Sequence, residues 1–469
     1  MVAGDVVSRV FGQYFSIEMA ALCLVEWALT AVILYGLLVS APGIAMPMAY
    51  TGAGNLSALM ALTIGVSAVT IGLYRPEICV QRGQLLAYAV FAGMLAVPGL
   101  LLVSGTLRVD LNREYLLWLG QSLIAWGICL FCTRWLFGYA MHHRVFVRRI
   151  LVLGAGPEAA RTRAHIQSHR RKFFELVQME TAPPGGIAAN TACNGRDLLH
   201  ITRELGIWGI VDATGQTVNH PGDGITSTAL LDLKLRGVRV FNELAFWEHQ
   251  LGRINLDLAD ARWLTFGDGF ASSWVGDRLK RTTDILGCLV MLALTMPLML
   301  ISALLIKMDS PGPVFYRQER VGLYGKPFVL FKFRSMSANA ELGGTPRWAA
   351  KRDTRITRVG GFIRSTRIDE LPQLLNVLRG EMSFVGPRPE RPHFVGQLGQ
   401  ILPFYAERSY VKPGITGWAQ VNFPYGASIE DSKEKLSFDL YYVKNRSLVL
   451  DMLILFSTVR VILFREGAR

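Results

Sequence analysis

Four apolar stretches, at about Ile17–Val39, Leu56–Tyr74, Gln84–Val103 and Tyr115–Phe137, fill the first third of the chain. Each is close to the ~20 residues that a helix needs to cross the hydrocarbon core of a bilayer. Nothing else in the sequence restricts the fold so strongly. A segment in lipid must satisfy its backbone polar groups internally, which leaves helices as the reading for runs of this length. Residues 1–145 are therefore expected to form a four-helix transmembrane bundle. The first run is long for a signal peptide and lacks a clear basic region and cleavage site. Glu26 inside it should face the bundle in a structural polar contact, because lipid would penalise its charge.

The chain joins 51% hydrophobic content to a formal charge of +13. A membrane part attached to a basic cytoplasmic part accounts for both. Zinc-finger spacing and an RNA-binding aromatic signature are both absent, which argues against nucleic acid. The loop 41–55 carries no cation, Arg75 and Arg82 flank the next, and Arg144, Arg148 and Arg149 follow the fourth run. Only Arg108 and Arg113 oppose them, so both ends of the bundle are expected in the cytoplasm. Of the six cysteines, Cys129 and Cys132 form a C-x-x-C inside an apolar run with no second pair. Small apolar packing is the expectation there, not zinc or redox chemistry.

A soluble segment, residues 146–270, follows. "RRILVLGAGPEAARTRAHI" reads as strand, glycine turn and helix, and "GIWGIVDAT" and "LKLRGVRVFN" read as further strands. The pattern is that of a Rossmann-like α/β domain with a parallel sheet. Gly154, Gly156 and Ala159 match G-x-G-x-x-A, and Glu180 lies near the distance of a ribose-binding acid. Such a fingerprint also survives where only the tight turn is needed. Nucleotide binding therefore stays open, and no cofactor-binding residue is assigned.

A fifth apolar run, Ile285–Ile306, has Lys280 and Arg281 before it and Lys307, Arg317 and Arg320 after it. Both flanks are basic, and Pro297 sits in the middle, where it removes a helical hydrogen bond and favours a kink. Charge placement predicts a helix that breaks at Pro297 and returns to the same side; an ordinary kinked spanning helix is the alternative. Further on, "RIDELPQLLNVLRGEMSFVGPRPE" sets Asp369 and Glu370 side by side among arginines. Acids and a following proline suit the first turn of a helix. They also suit a site where one carboxylate reacts, the other holds a metal and the arginines hold phosphate.

From Lys280 to the C-terminus the chain resembles the bacterial sugar transferases, the polyprenyl-phosphate hexose-1-phosphate transferases with a re-entrant membrane helix. The resemblance rests on "KRTTD", "SPGPVFYRQERVG", "FKFRSM", "RSTRIDELPQLLNVLRGEMSFVGPRPE" and "KPGITGWAQV", in that order. The helices and Rossmann-like segment before it resemble the long members, whose extra domains are not catalytic. The resemblance implies an α/β catalytic domain over residues 271–469 and transfer of a hexose-1-phosphate from a UDP-sugar to polyprenyl (undecaprenyl) phosphate. It implies Asp369 as the nucleophile that forms a phosphosugar-aspartate, and Glu370 as the acid that binds Mg²⁺. Arg364 and Arg388 match phosphate-binding positions, their planar forks suiting two oxygens at once. Lys332 and Arg334 are further phosphate-binding candidates.

Two departures qualify the resemblance. The helix break reads Thr295-Met296-Pro297 where short members often have Ser-Pro, and "NFPYGAS" follows "GWAQV" where many members continue Asn-Gly-Arg. The second resembles a subgroup linked to exopolysaccharide synthesis and leaves the hexose, UDP-glucose or UDP-galactose, undetermined. The apolar end "SLVLDMLILFSTVRVILF" is read either along the membrane surface or as a buried domain helix. A dehydratase or epimerase would need Tyr-x-x-x-Lys and a metal-dependent glycosyltransferase would often show Asp-x-Asp; neither spacing occurs. A non-catalytic scaffold would have no use for the carboxylate pair and its arginines. The expected location is the bacterial inner membrane, multi-pass, with the soluble domains cytoplasmic; the extra domains are where a homodimer would form.

Overall fold

The structure is a computed structural model that describes residues 7–10, 13–40, 50–74, 82–106, 112–142, 147–154, 156–168, 174–177, 195–213, 227–260, 264, 270, 274–337, 355–423 and 428–464. Glu180 and residues 424–427 of the "NFPYGAS" stretch lie outside them. Two units emerge, with main bodies Phe15–Leu251 and Gly252–Arg469.

A two-stranded sheet of β1 (Val7–Val10) and β2 (Gln13–Ser16) precedes the apolar helices. These helices are α1 (Ile17–Val39), α2 (Tyr50–Ile71), α3 (Arg82–Thr106) and α4 (Arg113–His142). The last two outrun the apolar windows at both ends, since a helix propagates into flanking polar residues once nucleated. Helix α1 packs on α2 and α4, and α2 packs on α3. Among the described residues five helical segments are long and apolar enough to cross a membrane: 19–39, 53–71, 85–106, 113–140 and 274–309. Glu26 faces α4, where its carboxylate accepts from Thr133 Oγ1 at 2.6 Å and Arg134 Nη2 at 3.3 Å. The Arg134 guanidinium also lies 4.8 Å from the centre of the Tyr74 ring.

The α/β part of the same unit is a four-stranded sheet in the order β4-β3-β5-β6, all neighbours parallel. Its strands are β3 (Arg148–Leu153), β4 (Phe174–Val177), β5 (Ile207–Asp212) and β6 (Arg239–Asn242). Alternation along β3 gives each face its own core. Ile150 and Val152 pack with Ala159 and Ile166 of α5 (Pro157–Ser168). Leu151 and Leu153 pack with Leu199 of α6 (Gly195–Glu204) and Leu233 of α7 (Ser227–Leu235). Gly154 ends β3 at φ +114°, and a Cβ there would run into the Ala213 carbonyl. Gly156 has open space around it. The turn itself therefore requires Gly154 and not Gly156.

The first long helix of the second unit is α8, Trp274–Asp309, which runs helical through Pro297. Thr295 Oγ1 donates to the Met291 carbonyl at 2.7 Å. Strands β7 (Phe315–Val321) and β8 (Pro327–Phe333) form an antiparallel hairpin. Helix α9 (Arg358–Ser365), a 3₁₀ turn at Ile368–Gln373 and α10 (Leu374–Arg379) lead to β9 (Ser383–Val385). Strand β9 pairs in parallel with β10 (Gly414–Thr416). Helices α11 (Pro392–Ile401), α12 (Trp418–Asn422), α13 (Ile429–Asn445) and α14 (Leu448–Phe464) complete the unit. Helix α14 is bound into it: Asp451 pairs with Lys280 at 2.6 Å, and Arg460 is buried.

Both halves of α8 pack on the rest of this unit. On the N-terminal side Cys288 and Leu292 join Leu330, Leu374, Val377 and Met382. On the C-terminal side Met299, Ala303 and Ile306 join Phe333 and Ile363. The opposite face exposes Leu289, Val290, Leu294, Leu300, Ile301 and Leu304.

Candidate active site

The carboxylate pair lies on the 3₁₀ turn, not on a regular α-helix. Arg367 caps that turn in the left-handed conformation, φ 60°, unusual for a residue with a side chain. The backbone therefore turns sharply just before Asp369, and both carboxylates end up buried. Asn376, fully buried on α10, fixes this segment to β8: its side chain accepts from Phe331 N at 3.1 Å and donates to the Val329 carbonyl at 2.7 Å. That pairing sets the strand bearing Lys332 against the turn bearing the carboxylates.

Three cations converge on one oxygen of Glu370. Arg388 Nη2 lies 2.9 Å from Oε1, Lys332 Nζ 3.2 Å and Arg367 Nη1 3.5 Å. Burial alone would raise the Glu370 pKa, but Lys332, Arg388 and Arg367 outweigh it and hold the carboxyl well below the usual range. Asp369 is pushed the other way, up to about 6, by burial first and by the Glu370 charge second. Lys332, Arg367 and Arg364 oppose that rise. Asp369 Oδ1 is buried and accepts no hydrogen bond within the protein. The site thus holds one ionised carboxylate with three cations on a single oxygen and one whose Oδ1 is left without a donor.

Among the candidates read from sequence, Asp369, Glu370, Lys332 and Arg388 come together, and half-buried Arg364 acts on Asp369 through its charge. Arg334 is placed elsewhere. Its guanidinium binds the end of α8, donating to the carbonyls of Ser310 at 2.6 Å, Pro311 at 2.9 Å and Ile306 at 3.3 Å. Pro297 lies within α8, away from this cluster in sequence and between its two packed halves. Arg367 joins the site without having been singled out, although it sits inside the quoted motif. Arg320 and Arg408, which donate to carbonyls of the loop bearing Arg388, and Asp439, which pairs with Arg408, also went unassigned. Arg320 is pressed down to about 10 by burial, partly offset by Glu390.

Mg²⁺ is usually held by one or two carboxylates together with substrate phosphate oxygens. Among the described residues no group of three or more His, Cys, Asp or Glu side chains could form a cage for a metal. The adjacent Asp369 and Glu370, one with a donor-free buried oxygen, fit the sparser arrangement that relies on a phosphate.

Residues 275–465 match the family model described as bacterial sugar transferase. The chain is 51% identical over 191 residues to the UDP-N-acetylgalactosamine-undecaprenyl-phosphate N-acetylgalactosaminephosphotransferase of Aeromonas hydrophila, covering 41% of this chain and 45% of that one. It is 50% identical over 169 residues to the UDP-glucose:undecaprenyl-phosphate glucose-1-phosphate transferase of Xanthomonas campestris pv. campestris, covering 35% of each. With the protein of the same description from Escherichia coli (strain K12) it is 34% identical over 358 residues, covering 74% of each. The chain thus spans less than half the length of the first two relatives and about three quarters of the third.

Proposed function

The chain belongs to the bacterial sugar transferases, and from that premise we propose that it transfers a hexose-1-phosphate from a UDP-sugar to undecaprenyl phosphate through a covalent intermediate on Asp369. The observation that carries this reading is the asymmetry of the carboxylate pair. Asp369 has a buried oxygen without a donor, while Glu370 is locked by three cations.

In the first step the Asp369 carboxylate attacks the sugar-bearing phosphorus. The bond from that phosphorus to the bridging oxygen breaks, and UMP leaves with the electron pair. In the second step an oxygen of undecaprenyl phosphate attacks the same phosphorus and Asp369 departs as a carboxylate. Splitting the transfer keeps two anions from having to react directly. Arg388 and Arg364 hold phosphate oxygens, and Lys332 neutralises charge beside the reacting carboxylate. Glu370 would hold Mg²⁺, which when bound supplies further charge neutralisation at the diphosphate.

Helix α8 is read as re-entrant, which keeps the catalytic unit on the cytoplasmic side of a multi-pass inner-membrane protein. What supports this is that both halves of α8 pack on one unit while an apolar face remains exposed. Relatives named for glucose and for N-acetylgalactosamine leave the hexose to experiment. Purified protein given undecaprenyl phosphate and a panel of UDP-sugars should release UMP with one of them. A phosphosugar mass should appear on the peptide containing Asp369. Absence of both with every donor would overturn the proposal and favour a scaffold.

A further inference from the structure

The loop Gly386–Glu390 presents Arg388, and four consecutive carbonyls of it are bound by four separate donors. Gly414 N donates to the Pro387 carbonyl at 3.0 Å, and Val321 N to the Glu390 carbonyl at 3.0 Å. Between them, Arg408 Nη2 donates to the Arg388 carbonyl at 2.9 Å and Arg320 Nη1 to the Pro389 carbonyl at 3.2 Å. The loop's entry is closed as well: Gly386 N donates to the Thr416 carbonyl at 2.9 Å, and a Cβ on Gly386 would run into the Lys412 carbonyl.

Arg408 is itself held from two other directions. Its Nη2 also donates to Asp439 Oδ2 at 2.7 Å, and its Nη1 to the Tyr405 hydroxyl at 3.0 Å. Arg408, Asp439 and Tyr405 are all buried. Gly386, Pro387 and Pro389 are buried, so the loop's carbonyls need partners, but a backbone N–H meets that need without a buried ion pair. Burying two charges is costly, and the arrangement is hard to account for by stability alone. What it delivers is the backbone position of the residue whose guanidinium meets Glu370 at 2.9 Å.

We infer that Arg408, held by Asp439 and Tyr405, is a positioning residue that sets the aim of the Arg388 guanidinium on the donor's phosphate. The inference rests on the reaction proposed above and adds to it the residues that preorganise the phosphate clamp. A guanidinium that is already aimed loses little freedom on binding an anion, and supporting contacts of this kind are commonly worth about 10–100-fold in function.

A double-mutant cycle tests it in the full-length protein. Arg408→Gln should lower kcat/KM for the UDP-sugar by at least about tenfold. Placed in an Arg388→Ala background, the same substitution should produce no further loss, because its effect passes through Arg388. A merely structural role would lower activity by the same factor in both backgrounds, and that result would overturn the inference. If Arg408→Gln does not fold, Tyr405→Phe takes its place; a smaller loss that vanishes in the Arg388→Ala background supports the inference, and no loss or an equal one overturns it. Hydrogen exchange separates this from the reaction itself. Amides of the 386–391 segment should exchange faster in the variant that folds than in the parent, whatever the enzyme's substrate. Unchanged exchange there would overturn the inference even if UMP release were established, and absence of UMP release with accelerated exchange would count against the reaction alone.

Discussion

Asp369 and Glu370 share one turn and one field of cations, yet burial dominates at the first and cations at the second. For Asp369 the pKa is raised from 3.8 to about 6. A raised carboxylate pKa penalises folding once the unfolded chain would ionise. The penalty is absent below about pH 4, grows through the interval and is complete above about pH 6. Asp369→Asn should therefore abolish the covalent adduct and, above pH 6, raise stability by up to about 3 kcal/mol. Thermal unfolding of the two proteins at pH 4 and pH 7.5 checks the sign; an equal difference at both values would refute it. In the parent, single-turnover UMP release should fall as pH drops through about 6, because only the ionised carboxylate attacks. Glu370→Gln should weaken the Mg²⁺ dependence of turnover, and an unchanged dependence would remove its assigned metal role. At this scale the sequence was informative where residues are neighbours. The carboxylate pair, Arg364 and Arg388 stand within one stretch of 27 residues, Arg364 to Glu390. Arg408 and Asp439 are 31 positions apart, and their pairing depends on a second 3₁₀ turn, Ala406–Tyr410, meeting α13 in three dimensions.

Strand β8 separates two candidates that stand together in the motif "FKFRSM". Lys332 and Arg334 are two residues apart, so alternation along a strand would put both on one face. Lys332 reaches Glu370, but β8 ends at Phe333 and Arg334 follows a different course. Its guanidinium instead donates to the Ile306 carbonyl in the last turn of α8 and to the Ser310 and Pro311 carbonyls just beyond it, where the chain leaves the helix. Arg334→Met should accordingly lower thermal stability, by about 2–4 kcal/mol, more than it alters the KM for the UDP-sugar. A large KM effect in a fully stable variant would instead favour the phosphate-binding role. In the α/β part, the glycine fingerprint was legible but its requirement was not, because two glycines look alike in sequence. Only Gly154 has the left-handed φ and the crowded Cβ. Gly154→Ala should cost about 1–3 kcal/mol, whereas Gly156→Ala should leave stability nearly unchanged. Calorimetry of both variants distinguishes them. Specific dinucleotide binding to the full chain, lost in Gly156→Ala, would show that the second glycine serves a ligand.

For the whole molecule, the decisive question is on which side of the bilayer the two ends of α8 emerge. The helix has 36 residues and would be about 54 Å long if straight. Lys280 and Lys307 would then lie about 40 Å apart along its axis, more than a hydrocarbon core of about 30 Å. In a spanning arrangement they would face opposite compartments. Yet Lys280 and Arg281 bind carbonyls of Val385, Val377 and Leu378, while Asp309 accepts from Val359 N at 3.1 Å, all within the same unit. A folded unit that binds both ends of one helix is hard to divide across a membrane. The sequence carried the charge half of this reasoning through its basic flanks; it could not carry the packing half, since Cys288 and Ile306 reveal their partners only in the fold. A helix dipping into one leaflet near Pro297 would reconcile the packing with the exposed apolar face and would set the carboxylate site near a lipid phosphate. Single-cysteine variants Thr282→Cys and Pro313→Cys, in active protein, should both label with a membrane-impermeant thiol reagent only when the cytoplasmic side is opened. Labelling of the two from opposite sides would eliminate the re-entrant helix. Pro297→Leu should shift one site toward labelling from the other side and lose most UMP release, because a straightened helix pulls against contacts at both ends of the catalytic unit.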